Sequence, residues 1–313
     1  MQAVTHLFQI HNRSTASSNA WTETEFPLPS REAMLRFRQV EGLTTPIFTY
    51  AALQEDNIVR IITIKPLNAE IKNLYCVFLD FKSGPIPRFA VNASVKNIPE
   101  DHNSTFTAAY ISCQINTTES NPDYVGLVPE KNQAQWPSHM TSIEGGGDSQ
   151  KVSEEVSSAR RPWEEREVEF SVCTPPMFFK FDNAAQLVEM LEMSRLLGAG
   201  RVVFYNNSIA PNVDAVLSLY IRQYQLGMDS LEVKVHSWQL PTFVENGVNK
   251  TIEKQEDIHY YGQMAAVDHC LHRYRKVSRY IVFSDLDEVV IPVRHATWSE
   301  LIAERQGETN TGT

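Results

Sequence analysis

The chain lacks several features, and each absence closes off a class of function. No window holds the roughly 18 consecutive apolar residues that a membrane-spanning helix needs. Met1-Gln-Ala-Val-Thr-His has no charged segment leading into an apolar one, so no signal peptide is visible. Lys/Arg runs are missing and the net charge is −10, which argues against a nucleic-acid partner. Neither Gly-x-Gly-x-x-Gly after a strand nor Gly-x₄-Gly-Lys-Ser/Thr occurs, so dinucleotide and P-loop chemistry lose support. The Gly-x-Ser-x-Gly elbow of serine hydrolases is absent. His259, His269 and His272 do not form the His-Glu-x-x-His of a zinc site. Cysteine is scarce: Cys76, Cys113, Cys173 and Cys270, with no metal-type Cys-x₂-Cys spacing. Four cysteines allow three complete pairings. Cys76–Cys113 is the favoured one, against an alternative of four buried free thiols.

What is present reads as a globular protein. The 313 residues, 42% hydrophobic and 21% charged, suffice for one large or two ordinary domains. Residues 1–45 are a polar lead-in. Residues 46–141 form a β-rich N-terminal domain, with runs such as Ile58-Val-Arg-Ile-Ile-Thr-Ile and Leu74-Tyr-Cys-Val-Phe-Leu cut by Lys-Pro and Ser-Gly-Pro breaks. Short strands at that spacing suggest a small antiparallel sandwich or sheet. Residues 142–167, with a triple glycine and dense charge, read as a flexible connector. From 168 to 313 the period changes to β-α-β-α-β-loop-α-β, which predicts a parallel, Rossmann-like α/β sheet. Asn-x-Ser/Thr sequons stand at Asn12, Asn92, Asn103, Asn116, Asn206 and Asn249. With the even cysteine set they point to the secretory pathway, and the missing entry signal implies an N-terminal anchor outside this chain.

The fourth predicted strand of that sheet carries the main chemical signal. Tyr280-Ile-Val-Phe-Ser runs straight into Asp285-Leu286-Asp287-Glu288. If the strand continues through the cluster, Asp285 and Asp287 share one face and Leu286 points into the core. Two adjacent carboxylates repel unless a cation lies between them, and an oxygen-only pair suits a hard divalent ion. Ligands of parallel sheets bind outside the carboxyl ends of the strands. The loops after the first two strands bring Pro175, Pro176, Asn206 and Asn207 to that edge.

Four ordered segments carry a resemblance. Ser171-Val-Cys-Thr-Pro-Pro-Met, Leu196-Leu-Gly-Ala-Gly with Val203-Phe-Tyr-Asn-Asn, Tyr261-Gly-Gln-Met-Ala-Ala-Val-Asp-His-Cys-Leu, and Tyr280-Ile-Val-Phe-Ser-Asp-Leu-Asp-Glu are similar to glycosyltransferase family 92. The similarity covers about 168–305. It implies a GT-A fold, a type II Golgi membrane protein in its full-length form, and transfer of galactose from UDP-galactose in β1,4 linkage to a glycan acceptor. It also implies Mn²⁺ held by Asp285 and Asp287, and the donor nucleotide beside Pro175, Pro176, Asn206, Asn207, Gln263 and Asp268. Asn206 as a cleft-lining residue competes with its own sequon, which leaves Asn92, Asn103, Asn116 and Asn249 as the glycosylation candidates. Glu288 is not assigned as the base, because the next residue along a strand faces away from the pair.

A GT-A domain normally continues past Thr313, so the expectation is a truncated transferase half with the donor side of a site. Two rival functions remain. One is a non-catalytic, secreted glycan-binding module built on the β-rich half. The other is a haloacid-dehalogenase-type phosphatase, with Asp285 as nucleophile. The phosphatase also needs a downstream Lys and acidic loop, and only 26 residues follow Asp287.

Overall fold

The computed structural model describes residues 35–79, 89–115, 122–129, 137–144 and 166–309. The N-terminal part is built from β1 (Arg38–Gln39), β2 (Phe48–Glu55), β3 (Ile58–Pro66), β4 (Leu74–Leu79), β5 (Phe89–Asn97), β6 (Phe106–Gln114), β7 (Tyr124–Pro129) and β8 (Thr141–Glu144). Their order is β1-β2-β3-β6-β5-β4-β7-β8, and β8 also pairs with β2. That last pairing is parallel, Ala52 opposite Ile143 and Leu53 opposite Glu144, whereas the other neighbours are antiparallel. Seven strands therefore close into a mixed barrel, which removes the exposed strand edges. Val59, Ile61, Phe78, Ile111 and Leu127 fill its interior. Cys76 and Cys113, both fully buried, are joined by a disulfide inside it, the favoured sequence pairing.

The remainder begins with β9 (Val168–Met177), α1 (Ala184–Leu196), β10 (Ala199–Asn206), α2 (Pro211–Gln225) and β11 (Glu232–Ser237). A β12 (Thr242–Glu245) and β13 (Val248–Thr251) hairpin, α3 (Gln263–Tyr274), β14 (Ser278–Phe283) and α4 (Trp298–Thr309) complete it. β11-β10-β9-β14 form a four-stranded sheet, parallel throughout. One face carries α1 and α2 through Leu187, Leu191, Val213 and Leu217, with Trp298 of α4 against Phe170. The other face, at Cys173, Val203 and Tyr205, packs on α3, and α3 in turn packs on the outer side of β2, β3 and β6. β2 is buried along its whole length because one side lines the barrel and the other meets this layer. A second disulfide, Cys173–Cys270, ties β9 to α3.

These findings overturn the fold class read from the sequence. The chain is not a GT-A-type Rossmann-like α/β fold: a closed seven-strand mixed barrel is its largest sheet, and the parallel sheet beside it is small and separate. The β-rich half is likewise a barrel rather than an open sandwich or sheet. Strand texture reports alternation and turns but not closure. The closing strand β8 lies partly in residues 142–144, which composition assigns to the connector. On α3, Ala265, Ala266, His269, Cys270 and Tyr274 are buried, while Met264, Val267 and Leu271 are half-buried. Small residues face in because a helix wedged between a sheet and a barrel must approach both closely.

Candidate functional site

All four strands of the parallel sheet end at one edge, and the helices that follow β9 and β10 and precede β14 start there. β14 stops at Phe283, opposite Cys173. Ser284 N–H still donates to Cys173 O (3.2 Å), so the turn carrying Asp285 and Asp287 begins level with Thr174 and Pro175. On the other side of β9, Asn206 pairs with Met177 and with Ser237. Pro175, Pro176, Asn206, Asn207, Asp285 and Asp287 are thus brought to the same edge. Gln263 opens α3 there, directly after Gly262, whose φ of +80° needs a glycine.

The strand does not run through the acidic cluster. Residues 286–287 form a turn, closed by Glu288 N–H donating to Asp285 O (3.2 Å). The Ser284 hydroxyl donates to the carbonyls of Asp285 and Glu288, a local alternative to ladder bonding. Asp285, Asp287 and Glu288 are exposed, and Leu286 packs against the core between them. Shared-face strand geometry therefore does not hold the two carboxylates, although both project from one short turn. Their oxygen donors suit a hard divalent ion. Among the described residues no group of three His, Cys, Asp or Glu side chains gathers to complete a coordination shell. They fit as a half-site whose other ligands would be phosphate oxygens and water, as is usual for ions bound with a nucleotide.

Asp268 is placed elsewhere. It is 7% exposed, and its Oδ1 accepts a hydrogen bond from the Tyr110 hydroxyl of β6 (2.6 Å). Burial raises its carboxyl pKa, against the opposing pull of that bond and of His272. It fastens α3 to the barrel. Asn207 is at the edge but engaged: its Nδ2 donates to Trp238 O (3.0 Å), and its own carbonyl accepts from Gln239 Nε2 (2.9 Å). The Asn206 side chain is half-buried and makes no hydrogen bond among the described residues. Asn92, Asn103 and Asn249 are exposed, as glycan attachment requires, and Asn116 lies outside the described residues.

Sequence reasoning missed the aromatic groups at this edge. Phe178 stacks on Tyr261 (3.9 Å between centroids), and Trp238 Nε1 donates to Tyr261 O (2.9 Å). Beneath the edge, Tyr205 Oη and His269 Nδ1 (2.8 Å) and His236 Nε2 and Tyr274 Oη (2.9 Å) pair in the buried layer. Burial, then the charges of Arg273 and Lys234, push His236 down to about 3, so it stays neutral near pH 7. The available signal was positional, since Met177-Phe178-Phe179 and Ser237-Trp238 follow strand ends as the acidic turn does.

The carboxyl edge of the parallel sheet is thus polar and acidic, and it is the edge outside which ligands of such sheets bind. Residues 168–312 match the family model described as Glycosyltransferase family 92. The chain is also similar to Beta-1,4-galactosyltransferase galt-1 of Caenorhabditis elegans, 28% identical over 130 residues, 42% of this chain and 27% of that protein. The chain thus spans about a quarter of that relative's length.

Proposed function

We propose that this protein is a galactosyltransferase that takes galactose from UDP-galactose and passes it to a glycan hydroxyl with inversion. The observation that carries the reading is the shared strand edge, where the Asp285–Asp287 turn stands level with Pro175 inside the stretch that matches a glycosyltransferase family model. The named relative, a β1,4-galactosyltransferase, supports the choice of sugar and linkage.

Several local features suit a nucleoside diphosphate. α2 starts at Pro211, which has no N–H, and α3 at Gln263, whose N–H donates to Tyr260 O; neither helix has a side-chain cap, so the N–H groups that follow, from Asn212 and Met264, point to the edge unoccupied by side chains. Such helix starts favour phosphate oxygens. Asp285 and Asp287 would hold Mn²⁺ or another divalent cation, which supplies charge neutralisation to the departing UDP. In an inverting transfer, the acceptor oxygen bonds to the anomeric carbon as the bond to the UDP oxygen breaks, and its proton passes to a base. Asp268, bound to Tyr110 at the barrel, is unsuited to that task. The two disulfides and the exposed sequon asparagines support a secretory setting, with the Golgi lumen as the proposed compartment.

The reading is tested by incubating the purified chain with Mn²⁺, a panel of nucleotide sugars and β-linked glycan acceptors. UDP-galactose is expected to be consumed and the others spared. Consumption of none of them, with or without acceptor, overturns it.

A further inference from the structure

The loop joining β5 to β6 carries the sequon Asn103-Ser104-Thr105. Asn103 and Thr105, which define it, are exposed, and Ser104 between them is buried. The loop is held in shape. Glu100 (φ 70°), His102 (φ 49°) and Asn103 (φ 57°) lie in the left-handed region, which asparagine tolerates better than most residues. Asp101 closes the turn: its Oδ1 accepts from Asn103 N–H (2.9 Å) and its carbonyl from Ser104 N–H (3.0 Å). Thr105 N–H donates to Glu256 O (3.3 Å) and Phe106 N–H to Asp257 O (2.7 Å), which fastens the turn to the segment before α3. The Asn103 side chain therefore leaves a fixed backbone.

Asn103 forms part of the wall of a cavity of about 660 Å³. The other walls are residues 44–46, before β2, and 66–69, at the end of β3. The second of these is wrapped around a buried cation. Lys65 Nζ donates to the carbonyls of Pro66 (3.0 Å), Leu67 (3.2 Å) and Ala69 (3.0 Å), which engages all three ammonium donors inside the wall. Among the described residues none that lines the cavity is charged, although 21% of the chain is. Thr45, Asn68 and Thr105 bring hydroxyls and an amide, and Pro46, Leu67 and Ala69 bring apolar surface. An ion entering such a cavity would lose water without gaining a counter-charge. A neutral ligand with hydroxyls, an amide and an apolar ring face suits it, and N-acetylglucosamine has all three.

Resting on the secretory setting proposed above, we infer that Asn103 carries an N-linked glycan whose first sugars lie in this cavity. Attachment joins Asn103 Nδ2 to the anomeric carbon of N-acetylglucosamine. The bond from that carbon to the diphosphate of a lipid-linked oligosaccharide breaks, the lipid diphosphate leaves, and one amide proton is released. A sugar tethered at the wall is present at high effective concentration, so weak contacts suffice to seat it. Seated there, it bridges three separate segments of the barrel.

The test uses the full chain secreted from glycosylating cells. Asn103→Asp removes the acceptor nitrogen while tolerating a left-handed backbone, Asn249→Asp does the same on the exposed β12–β13 hairpin, and Thr45→Trp fills the cavity with the sequon intact. Peptide mass spectrometry reads occupancy, thermal unfolding reads stability, and a glycan-releasing amidase applied to the folded protein reads access. Asn103 is expected to be occupied. Asn103→Asp should lower Tm by at least about 2 °C, and Asn249→Asp should leave it unchanged. Trimming the wild type to the first N-acetylglucosamine should keep the stability that Asn103→Asp loses. The amidase should free the Asn103 glycan several-fold faster from Thr45→Trp than from the wild type. An empty Asn103 beside filled Asn92 or Asn249, equal Tm in the two Asp variants, or equal release rates overturns the inference and leaves the secretory setting standing. Sequons that are all empty overturn both.

Discussion

Asp287→Ala is expected to abolish metal-dependent transfer from UDP-galactose, with a loss of roughly 100-fold or more. Asp287 is exposed on a turn and packs against nothing that the fold depends on, so its truncation should leave stability within about 0.5 kcal/mol of the wild type. That separation makes the experiment decisive. A folded, inactive variant locates the metal on the turn. Leu286, between the two carboxylates, is packed against the core beneath the sheet and holds the turn in place. Replacing Glu288, which also contributes its backbone to the turn, should cost less, because its N–H and not its carboxylate closes the loop onto Asp285. Full transfer activity in Asp287→Ala, measured at saturating Mn²⁺, would remove Asp287 from the site.

The second large effect concerns the joint between the barrel and the part that carries the parallel sheet. Glu55, at the end of β2, is buried, with a side chain 9% exposed. It meets Arg60 Nε of β3 (2.8 Å), His272 Nδ1 of α3, and Arg275 beyond α3 (2.7 Å). Burial alone would raise its carboxyl. Hydrogen bonds from His272 and Arg60, with the charges of His272 and Arg275, outweigh that and hold it at about 2 against an ordinary 4.5. A depressed carboxylate stabilises the fold above its unfolded pKa, and the contribution is lost as pH falls through the folded value. The window is therefore from about pH 4.5 down to about 2.

Glu55→Gln leaves two part-exposed guanidinium groups without their carboxylate and should destabilise the chain by about 1–2 kcal/mol near neutral pH. Denaturant unfolding followed from pH 7 to pH 2 measures both effects. The variant's stability should fall less steeply than the wild type's across that acid window. Equal stabilities and equal slopes would show that Glu55 does not clamp the two parts.

Much of the second half was legible in the residues. Val168–Cys173, Arg201–Tyr205 and Tyr280–Phe283 announce strands through β-branched and aromatic runs, and Gly198 and Gly227 end helices with positive φ. The motif segments come together at one edge because strand ends in a parallel sheet share it. Three things were not legible. Closure of the barrel depends on a two-residue parallel pairing between β2 and β8, far apart in sequence and invisible to periodicity. The turn at Asp285–Glu288 depends on where β14 loses its partner and on the Ser284 hydroxyl, so pattern alone carried the strand too far. Asp268 sits in a family-like segment, yet its helical phase turns it toward Tyr110, because α3 has two packing faces rather than one.

The central claim is that the edge bearing Asp285 and Asp287 binds a nucleotide diphosphate together with a divalent ion. Calorimetric titration of UDP into the wild-type chain, with Mn²⁺ and then with chelator, addresses it directly. The account expects UDP to bind at least about tenfold more tightly with Mn²⁺ present. UDP affinity that is the same in both conditions, or absent in both, would contradict it.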